Sequence, residues 1–323
     1  MIYAIIVTYN PELGLLEKQF QALHSQVDGL VYIDNGSKNL LEIQRCFEKF
    51  KIIHGKVITI YNSNNIGLGA AQNQGIDIAI TEEIDHIVFF DQDSTPELNF
   101  VLKMLNVENR LLSQGKRVSV VAPTAIEEGS GKICGVIQHE GWRKRQVFPK
   151  VGETSVLWVM ASGSLFRTEV FSTIGRMNPH FFVDLIDTEW GYRARAKGYE
   201  VFVTAETSLL HNVGDSSKNI GKRTLHIHRP YRLYYHARNN IVQIYNPVYR
   251  EYRVRVLTRD FTRILVRIGL HAILVKNGWE YVKYGIQGIV DGFMGKLGPY
   301  GHTYQYRFSK DDWYASNCIQ NEK

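Results

Sequence analysis

The chain has 323 residues, 44% of them hydrophobic and 22% charged, with a formal net charge of +6. That is enough chain for a large α/β domain with an appendage, and too apolar a composition for disorder. No apolar run approaches the ~18 residues that cross a bilayer. The opening Met1-Ile-Tyr-Ala-Ile-Ile-Val-Thr8 lacks the basic region and small-residue cleavage site of a signal peptide, and Cys46, Cys134 and Cys318 are far apart and odd in number, so a reducing cytosol fits better than a disulfide framework or a zinc site.

In chain order, β-branched and aromatic runs predict strands over Tyr3–Thr8, Leu30–Ile33, Val57–Tyr61, His86–Phe90 and Val118–Ala122. The intervening segments are long enough for crossover helices, so the expected fold class is α/β with a mainly parallel central sheet. Glu127 to Val151 is glycine-rich and polar and reads as a hairpin or loop; strands return at Ser155–Met160 and Glu200–Val203. Asp187 to Lys197 has helical composition, with Gly198 as its stop. Over Val254–Val275 apolar residues recur at helical spacing, while Arg255, Arg259, Arg263 and Arg267 form an i, i+4 row. The result is a basic amphipathic helix. Gly285, Gly288, Gly292, Gly295 and Gly298 then predict a less regular helix and a loose end.

Chemistry-bearing residues gather where the predicted strands stop. The first strand ends in Val7-Thr8-Tyr9-Asn10-Pro11, and proline keeps it from continuing as sheet. The second ends in Asp34-Asn35-Gly36-Ser37, where Asp34 either makes a turn or accepts a hydrogen bond from the imide of uracil or thymine. After the third, Asn65-Ile66-Gly67-Leu68-Gly69 opens a helix whose N-terminal amides favour phosphate. It is not the dinucleotide fingerprint, which follows the first strand and has a third glycine where Gln72 stands. The fourth ends in Asp91-Gln92-Asp93-Ser94. Two residues apart in extended geometry, Asp91 and Asp93 point the same way and can share a hard divalent cation that bridges a diphosphate; the plainer reading is a strand followed by a helix cap. In parallel sheets the carboxyl ends of strands are where ligands collect.

Taken together with Phe182-Val183-Asp184-Leu185-Ile186-Asp187-Thr188-Glu189-Trp190-Gly191-Tyr192-Arg193, these motifs resemble the family 2 glycosyltransferases of GT-A fold, and within them the bacterial rhamnosyltransferases of O-antigen and capsule assembly. The resemblance covers about the first 240 residues. It implies an inverting, metal-dependent transfer from a sugar nucleotide, with Thr8, Tyr9, Asn10, Asp34, Asn65, Gly67, Asp91 and Gln92 on the donor side. It also implies Mn²⁺ or Mg²⁺ held by Asp93 and His211, with Asp91 as a further ligand. Asp187 falls where the family has its catalytic aspartate, although Ile186 stands where the family has glutamate, and Asp184 and Glu189 are the neighbouring alternatives. Tyr234-Tyr235-His236-Ala237-Arg238-Asn239 resembles a family signature in which Arg238 reaches diphosphate oxygens, a buried ion pair being the alternative. Trp158 and Trp190 are candidates for stacking on sugar rings, or for the core.

The expected organisation is a catalytic domain over 1–245, with the nucleotide sugar at 1–125 and the acceptor side at 126–245, followed by a basic helical tail over 246–323. The expected donor is dTDP-rhamnose or a UDP-sugar (galactofuranose, glucose, galactose or N-acetylhexosamine), since thymine and uracil present the same imide edge. The expected acceptor is a lipid-linked oligosaccharide. The basic tail suits an anionic membrane surface, which puts the protein in the cytoplasm, peripheral at the inner face of the bacterial membrane, or it suits packing on another subunit in a homo-oligomer. Nucleic acid is not an expected partner, because the basic tail comes without a helix-turn-helix, zinc or ribonucleoprotein signature.

Overall fold

A computed structural model of the chain describes residues 1–323 except 129, 141–142, 212–215, 221–222, 246–259, 302–303 and 306–323. Its centre is an eight-stranded sheet. Four strands, β1 (Ile2–Thr8), β2 (Gly29–Asp34), β3 (Val57–Tyr61) and β4 (His86–Asp91), pair in parallel with β1 between β2 and β4. Helices α1 (Leu13–Leu23), α2 (Leu40–Ile53) and α3 (Leu68–Thr81) make the crossovers, and α4 (Phe100–Ser113) leads into β5 (Val118–Glu127). β5 runs parallel to β10 (Glu200–His211).

The hydrophobic-run reading finds these strands, sets the edge strand at Ser155–Met160 where the structure has it at Glu153–Val156, does not announce the pair at Ser216–Ile220 and Arg223–Ile227, and within the central sheet misses one strand. After the hairpin β6 (Val136–Glu140) and β7 (Arg143–Val147) and the edge strand β8 (Glu153–Val156), a three-residue strand, β9 (Leu165–Arg167), inserts antiparallel between β4 and β5. Three residues carry too little periodicity to announce a strand. Its consequence is functional, because β9 draws the Ala161-Ser162-Gly163-Ser164 turn against the end of β4: Gly163 N–H donates to Phe89 O at 2.7 Å with φ +77.

The sheet is apolar on both faces, as buried parallel strands require. One face packs Ile5, Ile33, Ile87 and Phe89 against α3, the short helix α5 (Val170–Ile174) and α6 (Ile186–Ala196). The other packs Ile6, Tyr32 and Phe90 against Phe20, Phe47 and Phe100 from α1, α2 and α4.

Beyond the antiparallel pair β11 (Ser216–Ile220) and β12 (Arg223–Ile227), the chain becomes helical: α7 (Pro230–Tyr245), α8 (Phe261–Leu274) and α9 (Gly278–Phe293). Leu233 and Ala237 of α7 share a core with Ile264, Ile268 and Tyr281, so α7 packs with the C-terminal pair. Of the glycine-rich stretch, Gly285, Gly288 and Gly292 lie in a regular helix, and Gly295 and Gly298 follow it in a turn and a bend. A Cβ at Gly288 would lie 2.3 Å from Tyr234 O and one at Gly292 would lie 2.7 Å from Ile241 Cβ, so the glycines form the face along which α9 seats on α7. Of the predicted arginine row, Arg255 and Arg259 lie outside the described residues, Arg263 is exposed beside Asp260, and Arg267 turns inward. Among the described residues no helix is long and apolar enough to cross a membrane.

Candidate active site

The donor-side motifs are tied to one another by short polar side chains. Asp34 is fully buried; it accepts from Thr8 Oγ1 at 3.1 Å, from Ser37 N at 2.9 Å and from Ser37 Oγ. Ser37 Oγ in turn accepts the Asn10 N–H at 2.7 Å, and Asn10 Oδ1 accepts Lys38 N–H at 2.8 Å, with Asn10 in the left-handed region at φ 48. Asp34 therefore braces the rim formed by Thr8, Asn10 and Ser37.

Asn35 does the same one residue on. Its side chain donates to Asn65 Oδ1 at 3.1 Å and Gly67 O at 3.3 Å, and accepts from Asn62 Nδ2 and Ile66 N. Gly67 N–H donates to Asn65 Oδ1 at 2.9 Å, and Leu68 N–H to Phe182 O at 2.6 Å. The amides of Ile66, Gly67 and Leu68 are thus all used within the protein. Asn65 and Gly67 do not offer the open phosphate cradle expected of them; they build the wall that meets the acceptor side. Gly67 is required for that meeting: it has φ +90, and a Cβ there would lie 2.9 Å from Phe182 Cα.

At the end of β4 the turn is held from three directions. Gln19 Nε2 donates to Asp91 O at 2.6 Å and Ser94 O at 2.7 Å, Ser162 Oγ accepts Asp91 N–H at 3.0 Å, and Gln92 Oε1 accepts Tyr9 N–H at 2.8 Å. Asp91 is half-buried and Asp93 exposed. Gln19 carried no signal in the sequence, since a glutamine on an amphipathic helix reads as surface.

Facing this edge is the segment 178–187. Phe182, Asp184 and Leu185 all have positive φ (65, 64 and 63), a conformation that L-residues avoid unless their surroundings impose it. The surroundings come from α7. Asn239 Nδ2 donates to the carbonyls of Phe181, Val183 and Asp184 at 3.1, 2.9 and 2.8 Å. Arg238, fully buried, donates to Phe181 O at 2.8 Å, His180 O at 3.3 Å, Gly298 O and Asn239 Oδ1, and its guanidinium lies over the rings of Tyr234 and Tyr235. Arg232 pairs with the Asp184 carboxylate, and Tyr235 stacks on Phe182 with centroids 5.2 Å apart. Arg238 is therefore a clamp on the acceptor segment and not a ligand for diphosphate, because its donors are already directed at carbonyls.

That segment delivers Asp187 in the first turn of α6. Its carboxyl pKa is pushed up to about 6, first by burial and then by the Asp91 and Asp184 carboxylates, against a lowering hydrogen bond from Thr188 N–H at 2.8 Å. The influence of Asp91 places the end of β4 and the start of α6 on one cleft. The alternatives to Asp187 are committed elsewhere. Glu189 is fully buried and pairs with Arg193 through two hydrogen bonds of 2.7 and 2.9 Å, and Asp184 is paired with Arg232. Trp190 is 2% exposed, packed edge-on to Phe166 and donating Nε1–H to Gly175 O, so it is core and has no face for a sugar. Trp158, half-buried beside the hairpin, retains exposed surface. His211 ends β10 opposite Glu127 in the strand register, and its side chain lies outside the described residues.

Among the described residues no three His, Cys, Asp or Glu side chains converge to hold a metal. The donor set nonetheless fits a hard divalent cation, because such ions are commonly held by one or two carboxylates and completed by substrate phosphates; Asp91 and Asp93 supply that pair at the cleft mouth.

Residues 3–175 match glycosyl transferase family 2. The chain is 31% identical over 306 residues, 92% of its own length and 97% of the relative's, to a dTDP-rhamnosyl transferase, RfbF, of Shigella flexneri. In fold it is similar to S. aureus TarS 1-349 in complex with UDP-GlcNAc (TM-score 0.58, 14% identity, 89% of this chain and 81% of that one). It is also similar to GalNAc-T7 with UDP, GalNAc and Mn²⁺ (TM-score 0.55, 14% identity, 83% of this chain and 56% of that one). Those two likenesses are of fold, and the fold is GT-A. The cleft of carboxylates at the carboxyl edge of a mostly parallel sheet is thus accounted for: the chain belongs to glycosyl transferase family 2, as a rhamnosyltransferase-like hexosyltransferase that takes its sugar from a nucleotide-sugar donor.

Proposed function

We propose that this protein is an inverting rhamnosyltransferase that moves L-rhamnose from dTDP-rhamnose to a hydroxyl of a lipid-linked oligosaccharide in cell-surface polysaccharide synthesis. The observation that carries the reading is the Asp187 carboxylate, raised to about 6 and within electrostatic reach of Asp91. The donor assignment is supported by the likeness to the Shigella flexneri enzyme over nearly the whole of both chains.

The chemistry follows from the residues. The acceptor oxygen attacks the anomeric carbon from the face opposite the diphosphate, the bond to the diphosphate breaks, and Asp187 takes the hydroxyl proton. A carboxylate with a pKa of about 6 is a better base for that proton than an ordinary aspartate and is still ionised near neutrality. Asp93, with Asp91 and His211, would hold Mn²⁺ or Mg²⁺, which when bound neutralises the charge that develops on the leaving diphosphate. The Thr8, Asn10 and Ser37 rim, braced by Asp34, forms the nucleoside end of the donor cleft.

For the location, the exposed apolar side chains of the C-terminal helices support an inner-membrane surface: Val266, Ile273, Trp279 and Met294 are 60, 82, 76 and 62% exposed. The exposed cations Arg263 and Lys283 lie on the same helices, and Lys276 lies in the turn between them. Such a surface lies in the head-group region, each cation contributing about 1 kcal/mol near anionic lipid. Flotation with anionic vesicles, diminished by Trp279→Ala with Lys276→Gln, tests this; undiminished flotation removes it.

The donor is tested by incubating the protein and Mn²⁺ or Mg²⁺ with a panel of nucleotide sugars and an oligosaccharide acceptor and measuring released nucleoside diphosphate. Release from dTDP-rhamnose is expected. Release from a UDP-sugar and none from dTDP-rhamnose overturns the donor assignment.

A further inference from the structure

Between α7, α8 and α9 lies a cavity of about 80 Å³ that the transfer chemistry does not use. Its wall reaches the active site through Asp184, three residues before Asp187 in the chain and one of the groups that raise the Asp187 pKa. Among the described residues Arg229, Arg232 and Arg267 line it, and Asp184 is the one carboxylate that does. Arg232 is paired with that carboxylate. Arg267 is drawn far enough from water that burial lowers its pKa, with Asp184 opposing the shift, and its guanidinium makes no hydrogen bond or ion pair with the described residues. A half-buried guanidinium without a partner is costly, and guanidinium geometry suits tetrahedral oxyanions.

His236 on the wall adds a donor rather than charge. His236 is pushed down to about 4, by burial first and then by Arg267, so it is neutral near pH 7. Its Nδ1 lies 3.2 Å from Asn240 Nδ2 and accepts from it, which leaves the ring proton on Nε2. His228 Nδ1 lies 3.3 Å from Arg232 Nη1 and is an acceptor in the same way, while His271 Nδ1 donates to Arg267 O at 2.8 Å. Arg267, beside a carboxylate that Arg232 already pairs, repels a divalent cation and attracts an anion.

We propose that this cavity is an oxyanion site that receives a phosphate group carried by the acceptor substrate. The proposal rests on the reading of the chain as a transferase to a lipid-linked, phosphate-bearing acceptor. The donor diphosphate belongs to the other side of the base, at Asp91 and Asp93, whereas the cavity shares Asp184 with the segment that presents Asp187. A phosphate seated against Arg267 and His236 fixes one end of the acceptor while its sugar hydroxyl meets Asp187. It also supplies the counter-charge that Arg267 lacks.

The test uses the full chain with Arg267→Gln and Arg267→Lys, assayed on a diphosphate-linked oligosaccharide and on the same oligosaccharide as a neutral alkyl glycoside. Arg267→Gln is expected to raise KM for the phosphate-bearing acceptor about tenfold, the effect of removing one charge-assisted hydrogen bond. It should leave KM for the donor and for the neutral acceptor unchanged, with Arg267→Lys intermediate. Independently of turnover, the ³¹P line of inorganic phosphate is expected to broaden with wild-type protein whose donor site is filled with dTDP, and not with Arg267→Gln. Equal losses on both acceptors, or phosphate broadening that is the same in wild type and variant, overturns the site. A variant that loses binding to phosphatidylglycerol vesicles but keeps its acceptor KM reassigns the phosphate to a bilayer lipid and overturns the acceptor claim. If no nucleotide sugar is turned over at all, the proposed function fails, and the phosphate titration still decides the cavity.

Discussion

The two walls of the cleft are built by different means. On the donor wall, Thr8, Asp34, Asn35, Asn65 and Gln92 belong to the motifs they stabilise: each sits at the end of its own strand and bonds to the end of a neighbouring one. On the acceptor wall, the segment that presents Asp187 has left-handed backbone at Phe182, Asp184 and Leu185 and is held by Arg232, Arg238 and Asn239 from a helix some 50 residues further along the chain. The first wall is made of local contacts and, on the proposed function, holds the sugar nucleotide, while the second depends on a distant clamp for the position of one carboxylate. Damage to the first should therefore appear as weaker donor binding, and damage to the second as slower transfer.

The largest contrast is expected at Asp187 itself. Asp187→Asn keeps the shape of the cleft and removes the proton acceptor, so kcat falls by about 10²–10⁴-fold, the usual worth of a positioned general base. Calorimetric affinity for the donor stays within a factor of about two, since differential loss in the transition state is what marks a catalytic group. Full activity in this variant would move the base elsewhere. Glu189, two residues away, is expected to behave differently. Replacing it by Gln leaves Arg193 as a buried cation without its counter-ion, and breaking such a pair costs about 3–5 kcal/mol. The loss should appear as a lower urea midpoint with unchanged slope. A stable but inactive Glu189→Gln enzyme would reverse the roles of the two acids.

The same contrast explains what the sequence discloses and what it does not. The donor wall is legible because parallel strands are continuous apolar runs and their polar residues cluster where the runs stop, as at Val7-Thr8-Tyr9-Asn10 and Phe90-Asp91-Gln92-Asp93. Even there, what the residues bond to is not legible: Asp34 reads as an acceptor for a base, and the structure turns it toward Thr8 and Ser37. Arg238 and Trp190 are read as ligands because their types suit diphosphate and sugar, and both prove to be buried. Tertiary contacts at separations of 57 and 15 residues decide that, through Phe181 O and Gly175 O, and no local pattern encodes them. Strand β9 and the left-handed run at 182–185 escape for a related reason, since each is imposed by its neighbours and not by its own propensity.

The clamp gives the third prediction. Asn239→Ala removes the donor shared by three carbonyls, and leaving buried carbonyls unpaired costs about 1–3 kcal/mol of stability. Because the strained segment can then relax, the base shifts, and displacements of about 1 Å cost up to about 100-fold in rate. The expected signature is a kcat reduced about ten- to hundredfold with donor KM unchanged. A rise in donor KM alone would show that the clamp serves the other wall. Gln92→Ala is the counterpart: it frees the Tyr9 amide at the exposed rim, and loss of one such bond is worth about 0.5–1.5 kcal/mol. Donor KM should rise about two- to tenfold at constant kcat, and an unchanged donor KM would detach the Tyr9 rim from nucleotide binding.

The smallest effect joins the walls. Asp187 must be ionised to accept a proton, and its pKa is raised to about 6, so kcat/KM is expected to climb with pH and level off above about pH 6. Burial is the largest cause of the shift and the Asp91 carboxylate a lesser one. In Asp91→Asn the burial remains and only the repulsion is lost, so the break should move acidward by a fraction of the whole displacement while the rate falls for the separate reason that the donor is held less well. Two outcomes are informative. A break that stays at its wild-type position means that Asp91 and Asp187 do not sense one another across the cleft, and a break at the ordinary carboxylate value means that charge, and not exclusion of water, sets the strength of the base.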